Sequence, residues 1–294
     1  MTKKNAQLNV FILKNLFIYA EYTIFAVNME KSVVELLDKL PPISLEEMES
    51  IRLMNRLDQK YLATVEQLVE LLQMAQGNYM VQQIDGERVS GYRTLYLDTP
   101  DNQMYFMHHN RRAPRQKIRV RTYLQSDITF LEVKNKNNHG RTKKKRMQVN
   151  SPATLLADGG NSLLEQCAWF RLEELVPKME NQFERITLVN LAKTERLTID
   201  CHIRFHHEET GLDNTFDQLV VIELKRDGNV DSPVLDIMRK LRIRPSGFSK
   251  YCIGTVVTNP DIKQNNFLKK IRKIQKMLGE EVTGQAVPYR LTAN

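Results

Sequence analysis

Cysteine is scarce in this chain: Cys167, Cys201 and Cys252 are the only three in 294 residues, and they lie far apart. No CxxC pair and no Cys/His cluster with metal-ligand spacing occurs, which argues against a disulfide framework and a structural zinc site. Reduced, buried thiols in a cytoplasmic protein are the reading that remains. Also missing are GxSxG, HExxH and the Walker-type glycine loop, so no nucleophile elbow, zinc-protease helix or P-loop is expected. His108-His109 and His206-His207 are adjacent pairs, and neighbours on a strand point to opposite faces, so neither is expected to bind a metal. Internal repeats and low-complexity runs are absent, and tryptophan occurs once, at Trp169.

Long uninterrupted apolar runs are lacking too. The nearest is NVFILKNLFIYAEYTIFAV (residues 9–27), but Lys14 and Glu21 break it and no small-residue cleavage site follows. Neither a spanning helix nor a signal peptide fits. Met29 opens a conventional amphipathic stretch and is expected to be the true start, with residues 1–28 a non-native or poorly ordered extension.

What the chain has in excess is positive charge in one place. The net charge is +8, yet Arg111 to Arg146 holds 13 Lys/Arg against Asp127 and Glu132, so the remainder is net acidic. A localised excess points to an anion site rather than to a generally basic surface.

Periodicity predicts N-terminal helices over 29–50, broken at Pro41-Pro42, the second capped by Ser44 with Glu47 three residues on. A strand at 55–62 precedes a helix at 65–74 with Val65, Leu68, Leu71 and Leu72 on one face. Strands follow at 92–98, 116–123, 129–136 and 143–149, the last three joined by short polar links as a meander. A helical region is expected over 152–180, then strands at 183–190, 195–205 and 218–225 and a helix at 230–241. The Met104, Tyr105 and Met107 cluster reads as core packing. The pattern argues for an α+β fold, with a closed antiparallel barrel as its expected form. A basic amphipathic helix and tail are expected over 259–294. The apolar stripe of that helix, Phe267, Ile271, Ile274 and Leu278, suits docking on the domain better than lying on a membrane.

Residues two apart on a strand share a face. Lys117, Arg119 and Arg121 share one, as do Glu132, Lys134 and Lys136, Lys144 and Arg146, Arg56, Asp58 and Lys60, and Glu223 and Lys225. Ile118, Val120, Leu131 and Val133 take the opposite faces. Charges lining a lumen, outside which helices pack, account for this better than a solvated edge, provided an anion relieves the repulsion. Arginine forks and lysine point charges together suit a polyphosphate, and a carboxylate among them suits Mg²⁺ or Mn²⁺. A nucleic-acid surface would want aromatics between the basic strands, and only Tyr123 and Phe130 qualify.

RLDQKY (56–61), YRTLYLDTPD (92–101), RQKIRVRTY (115–123), FLEVKNK (130–136), RLTID (196–200), VIELK (221–225) and FSKY (248–251), in that order, resemble the VTC domain, the polyphosphate polymerase domain of the triphosphate tunnel metalloenzymes. The resemblance implies an eight-stranded tunnel barrel over residues 51–258 that transfers the γ-phosphate of ATP onto polyphosphate with Mn²⁺ or Mg²⁺. A triphosphatase, or a non-catalytic polyphosphate or inositol-pyrophosphate binding module, stays open on the same barrel. By position it implies catalytic roles for Lys60, Arg119, Arg121, Lys134, Arg185 and Arg196. Substrate contacts are implied at Lys117, Lys136, Lys144, Arg146, Lys225, Ser249 and Lys250, with Lys143 and Lys145 the alternative if the register shifts by one. Glu223 and Glu132 are the implied metal ligands. A membrane-protein partner in a cytoplasmic setting is compatible with the family, and no nucleic acid is expected. Two departures stand out: Arg56-x-Asp58-x-Lys60 replaces the ExExK opening of the related hydrolases, and Phe183 stands where a tyrosine is expected.

Overall fold

A computed structural model describes residues 31–49, 51, 56–139, 141–228 and 230–279. The apolar run at 9–27 and the expected start at Met29 lie outside the described residues.

Two short helices open the described chain, α1 (Lys31–Asp38) and α2 (Leu45–Glu49), with the two-residue strand β1 (Pro42–Ile43) between them. Ser44 and Glu47 form the expected reciprocal cap, Glu47 N–H donating to Ser44 Oγ at 3.2 Å and Ser44 N–H to the Glu47 carboxylate at 2.9 Å. Strand β2 (Arg56–Thr64) runs into α3 (Val65–Ala75), whose start is fixed by a Thr64/Gln67 capping box. Next come β3 (Tyr79–Gln82), β4 (Ser90–Asp98), α4 (Gln103–His109), β5 (Arg115–Tyr123), β6 (Ile128–Lys136), β7 (Thr142–Val149) and α5 (Gly160–Cys167). Two long strands, β8 (Val176–Asn190) and β9 (Glu195–His207), precede β10 (Asp213–Phe216) and β11 (Leu219–Asp227). The chain closes with α6 (Pro233–Lys240), α7 (Lys250–Thr258) and α8 (Asn265–Leu278).

The fold is α+β, built on one large sheet whose main path runs β2-β11-β9-β8-β4-β5-β6-β7. Every pairing on that path is antiparallel. The expected meander of β5, β6 and β7 is present. Strands β2 and β7 end the path, and no ladder joins them among the described residues. Hydrogen bonding therefore gives a large antiparallel sheet rather than a closed ring.

Helices cover the outer face. Ile118, Val120, Leu131 and Val133 are buried with Leu163 and Leu164 of α5, while α1, α3 and α6 cover Ile186, Leu188, Leu197, Ile199, Ile222 and Leu224. The apolar halves of the charged strands thus point outward into helices, as the alternation required. Helix α8 docks through Phe267, Ile271 and Ile274, each worth about 1.5–3 kcal/mol of burial. All three cysteines are free, with Cys201 and Cys252 buried and Cys167 half-buried. Met104 and Tyr105 are buried, as core packing requires.

Several stretches depart from the sequence reading, and His108-His109 lie at the end of helix α4 rather than on a strand. The helix expected over 152–180 is confined to Gly160–Cys167, with a 3₁₀ turn at Leu172–Glu174 and β8 already under way at Val176. Gly159 enters the helix at φ +84° and extended Ala168 ends it, which leaves Trp169 in a link, 43% exposed. Helix α7 was not foreseen because it is apolar all round: every residue from Tyr251 to Thr258 is buried, so no 3.6-residue stripe shows. It packs against Leu62, Phe183, Phe205 and Val221. At Gly254 a Cβ would fall 2.4 Å from the Phe205 ring and 2.9 Å from Met179. Gly254→Ala is expected to cost about 1–3 kcal/mol through overpacking, read as a lower urea midpoint with an unchanged slope.

Candidate functional site

The pairing register decides which charges share the inner face. Strand β5 sets Lys117, Arg119 and Arg121 opposite Lys134, Glu132 and Phe130 of β6. In turn β6 sets Lys134 and Glu132 opposite Lys144 and Arg146 of β7. Lys144 and Arg146 therefore face inward, and Lys143 and Lys145 outward. On the other half of the sheet Lys60 lies opposite Glu223, Lys225 opposite both Asp58 and Arg196, and Arg185 opposite Asp200.

Three carboxylates hold this face together. Glu132 is fully buried and accepts from Arg119 Nε at 2.7 Å, while its second oxygen pairs with Lys144. Burial alone would raise its carboxyl, but Arg119, then Arg121 and Lys144, hold it well below the usual range. Asp200 takes a bidentate fork from Arg185, at 2.6 and 2.9 Å, and also pairs with Lys250. Sequence reasoning missed Asp200 as a site residue, although its place two residues from Thr198 and four from Arg196 puts it on the cationic face. Glu223 stands 3.7 Å from Lys225; against the desolvation of burial, Lys60, Lys225 and Arg185 bring its carboxyl down to about 2.

The lysines register the crowding. Arg119, then burial and Arg121, push Lys134 down to about 5. Burial, with Lys60, Arg115 and Arg119 adding to it, lowers Lys117 to about 8. Lys250 falls to about 7 through burial, although Asp200 opposes the shift. An arriving anion would reverse each of these shifts by favouring the charged ammonium.

Helix α7 aims its N-terminus at this face. Ser249 is its N-cap, accepting from Cys252 N–H at 3.2 Å. Lys117 Nζ donates to Ser249 Oγ at 2.8 Å and Lys60 Nζ to the Phe248 carbonyl at 3.2 Å, so one cation from β5 and one from β2 grip the same turn. Tyr251 donates at 2.5 Å to Asp98, which also receives the N–H groups of Met104 and Tyr105 at 2.9 Å. That buried carboxylate fixes both α4 and the start of α7. The aromatic platform was also missed: Phe183 stacks on Tyr92 at 5.1 Å and 5°, and Lys250 Nζ lies 4.0 Å from the Phe183 centroid, with Arg185 at 5.2 Å. Cation–π attraction does not need a phenol hydroxyl, so a phenylalanine serves here.

Lys60, Lys117, Arg119, Arg121, Lys134, Lys144, Arg185, Glu223, Ser249 and Lys250 are thus brought to one region. Others sit at its margins. Arg196 donates to the Met48 carbonyl at 3.0 Å. Arg146 is exposed, 4.5 Å over Phe130, and Lys136 lies at the strand end opposite Arg115 and Thr142. The described residues contain no cluster of three or more His, Cys, Asp or Glu side chains suited to a metal. A hard divalent cation carried largely by substrate phosphates needs only one or two carboxylates, and Glu223 fits that role. Glu132 does not fit it without surrendering Arg119 or Lys144, and acts instead as a neutraliser.

A VTC domain family model matches residues 55–259. The chain belongs to the VTC domain family. No curated protein matches its sequence. Solved structures resemble it more loosely. A Hippeastrum protein named for adenylyl cyclase, and described as having a dominant triphosphatase activity, is 16% identical with a TM-score of 0.44, covering 68% of this chain and 95% of that one. A Vibrio parahaemolyticus protein also named for adenylate cyclase is 10% identical with a TM-score of 0.38, covering 69% and 99%. The inorganic triphosphatase NE1496 is 13% identical with a TM-score of 0.26, covering 59% and 75%. With scores this low the family assignment rests on the family model. No helix among the described residues of this VTC domain is long and apolar enough to cross a membrane.

Asp200→Ala would leave Arg185 and Lys250 buried without their shared partner, and a loss of about 3–5 kcal/mol is expected, largely restored by tripolyphosphate in a thermal melt. Binding of tripolyphosphate at pH 7.5 is expected to take up protons, because the ligand raises the lowered pKa values of Lys117, Lys134 and Lys250. Calorimetry in two buffers of different ionisation enthalpy measures the sign, and proton release would contradict it.

Proposed function

We propose that this VTC domain is a metal-dependent polyphosphate polymerase that moves the γ-phosphoryl group of ATP onto a growing polyphosphate chain. The observation that carries this reading is the convergence of Lys60, Arg119, Arg121, Lys134, Arg185 and Lys250 on one face, beside the N-terminus of α7. Helix N-termini and arginine forks are suited to phosphate oxygens.

In this reading the sheet works as a tunnel, and the 248–249 turn, held by Lys60 of β2 and Lys117 of β5, lies against its cationic face. The triphosphate lies along the tunnel, its charge met by Arg119, Arg121, Lys134 and Arg185, while Ser249, Lys250 and the α7 N-terminus receive the terminal phosphates. Lys117 and Lys144 extend the cationic wall, with Arg146, Lys136, Arg196 and Lys225 at its ends. A terminal oxygen of the polyphosphate acceptor attacks the γ-phosphorus as the bond to the β-phosphate oxygen breaks, and ADP leaves. The attacking oxygen is already anionic, so no general base is required, and positioning with charge stabilisation carries the step. Glu223 is the residue that would hold Mn²⁺ or Mg²⁺ together with substrate phosphates, and the bound cation would supply charge neutralisation. The Arg56-x-Asp58-x-Lys60 opening, with one carboxylate fewer than ExExK, supports transfer to phosphate over a two-metal hydrolysis.

The test is incubation with ATP and Mn²⁺ or Mg²⁺, followed by gel analysis for long polyphosphate. A ladder is expected, with its rate lowered about 10²–10³-fold in Lys60→Ala and Glu223→Ala. Free phosphate without chains would instead assign a triphosphatase. Triphosphate binding with no turnover in either metal would assign a binding module for polyphosphate or inositol pyrophosphate.

A further inference from the structure

Outside the tunnel face, a second basic concavity of about 420 Å³ lies between α4 and α8, lined by His108, Arg111, Arg115, Lys269, Lys270 and Lys273. Helix α8 lies beyond the 55–259 span of the family model, so the groove is built on a segment that the family match does not include.

Helix α8 spends its apolar stripe on the core, and that docking is what presents Lys269, Lys270 and Lys273 to the groove. Its first turn is pinned from α4, Asn266 Nδ2 donating to the His109 carbonyl at 2.9 Å. The groove also joins the tunnel. Lys270 donates to the Gly247 carbonyl, immediately before the Phe248–Ser249 turn gripped by Lys60 and Lys117. His108 Nδ1 lies 3.1 Å from Cys252 Sγ on α7. The charge of His108 is opposed, after burial, by Lys117, Arg115, Lys270 and Lys136, cations drawn from both tunnel and groove. Its imidazole is thereby kept neutral, an uncharged spacer between the two rows.

We propose that this groove is an outer track for the polyphosphate chain, continuous with the tunnel at the 247–249 turn, so that the protein grips long chains outside the site of transfer. This rests on the tunnel binding phosphate, and it adds a site that a triphosphate is too short to reach. Exposed lysines and arginines spaced along a groove suit a flexible, uniformly charged polymer, which needs repeated point charges rather than one shaped pocket.

The test compares inorganic tripolyphosphate with long-chain inorganic polyphosphate, titrated against the full chain and against an Arg111→Gln/Lys269→Gln/Lys273→Gln variant. These three side chains are outside the tunnel machinery, and a thermal melt checks the fold. The expected result is tripolyphosphate affinity unchanged within about twofold and long-chain affinity lowered about tenfold or more, with a shallower salt dependence. A variant carrying Lys269→Arg/Lys273→Arg is expected to bind long chains like the wild type. Equal loss for both chain lengths, or no loss for either, overturns the track. So does an equal loss for single-stranded RNA of matched charge, which would mark a general polyanion surface. Failure of the wild-type protein to bind tripolyphosphate is a separate result that overturns the tunnel reading and the track with it.

Discussion

Everything in this structure is arranged around one unfavourable contact: like charges, Arg119 and Arg121 among them, buried together on one face of the sheet. At an effective dielectric near 20, two unit charges 4 Å apart repel by about 4 kcal/mol, and the face sets Arg121 within reach of Arg119 and Arg185, and Lys134 within reach of Arg119 and Arg121. Two devices make this tolerable. Glu132 and Asp200 are each shared by two cations, so one buried carboxylate offsets charge on both sides. Arg119, then burial and Arg121, lower the pKa of Lys134 and so weaken its hold on a proton. A buried ion pair of this kind contributes little net stability once desolvation is counted, so its worth lies in holding the guanidinium groups at fixed positions.

Stability comes instead from the opposite side of the same strands. The outward-facing residues of β5 and β6 are buried under α5, and those of β2, β8, β9 and β11 under α1, α3 and α6. A sheet anchored from outside in this way cannot turn its charged face to solvent without giving up the packing of its apolar face. Period-two alternation thus does double duty: one residue of each pair secures the fold and the next supplies the site. The geometry is set before any ligand arrives, which is the condition under which fixed charges stabilise a transition state without reorganising.

How much of this was legible in the sequence follows from the same alternation. Lys117, Arg119 and Arg121 announce their face because nothing but a strand puts every second residue on one side, and Ile118 and Val120 announce the other. The Lys144/Arg146 register needed the ladder to β6, since a run of four basic residues reads alike in either frame. Asp200 hid inside RLTID, because an aspartate in an apolar strand gives no sign of its partners. Helix α7 hid because complete burial erases amphipathic periodicity, and the stretch around Trp169 misled because residues that could be helical were ended by local backbone choices at Gly159 and Ala168. Closure of the barrel was an expectation of both pattern and family resemblance, and among the described residues the ladders stop short of it at β2 and β7.

Strand β7 carries a further consequence. It ends the sheet with Thr142 to Arg146 all exposed, and an uncovered strand edge is an invitation to pair with the same strand of another copy. Here such pairing would bring TKKKR against TKKKR, and the inward and outward lysines alike would oppose their counterparts. Edge lysines are a recurrent guard against this kind of association, so the basic residues of β7 oppose the pairing of neighbouring molecules along this edge. That guard is electrostatic and exposed, which makes it the part of the design most sensitive to ionic strength, and a polyanion lying across β7 would neutralise it. In the proposed reading, protection of the edge and phosphate binding draw on the same few charges.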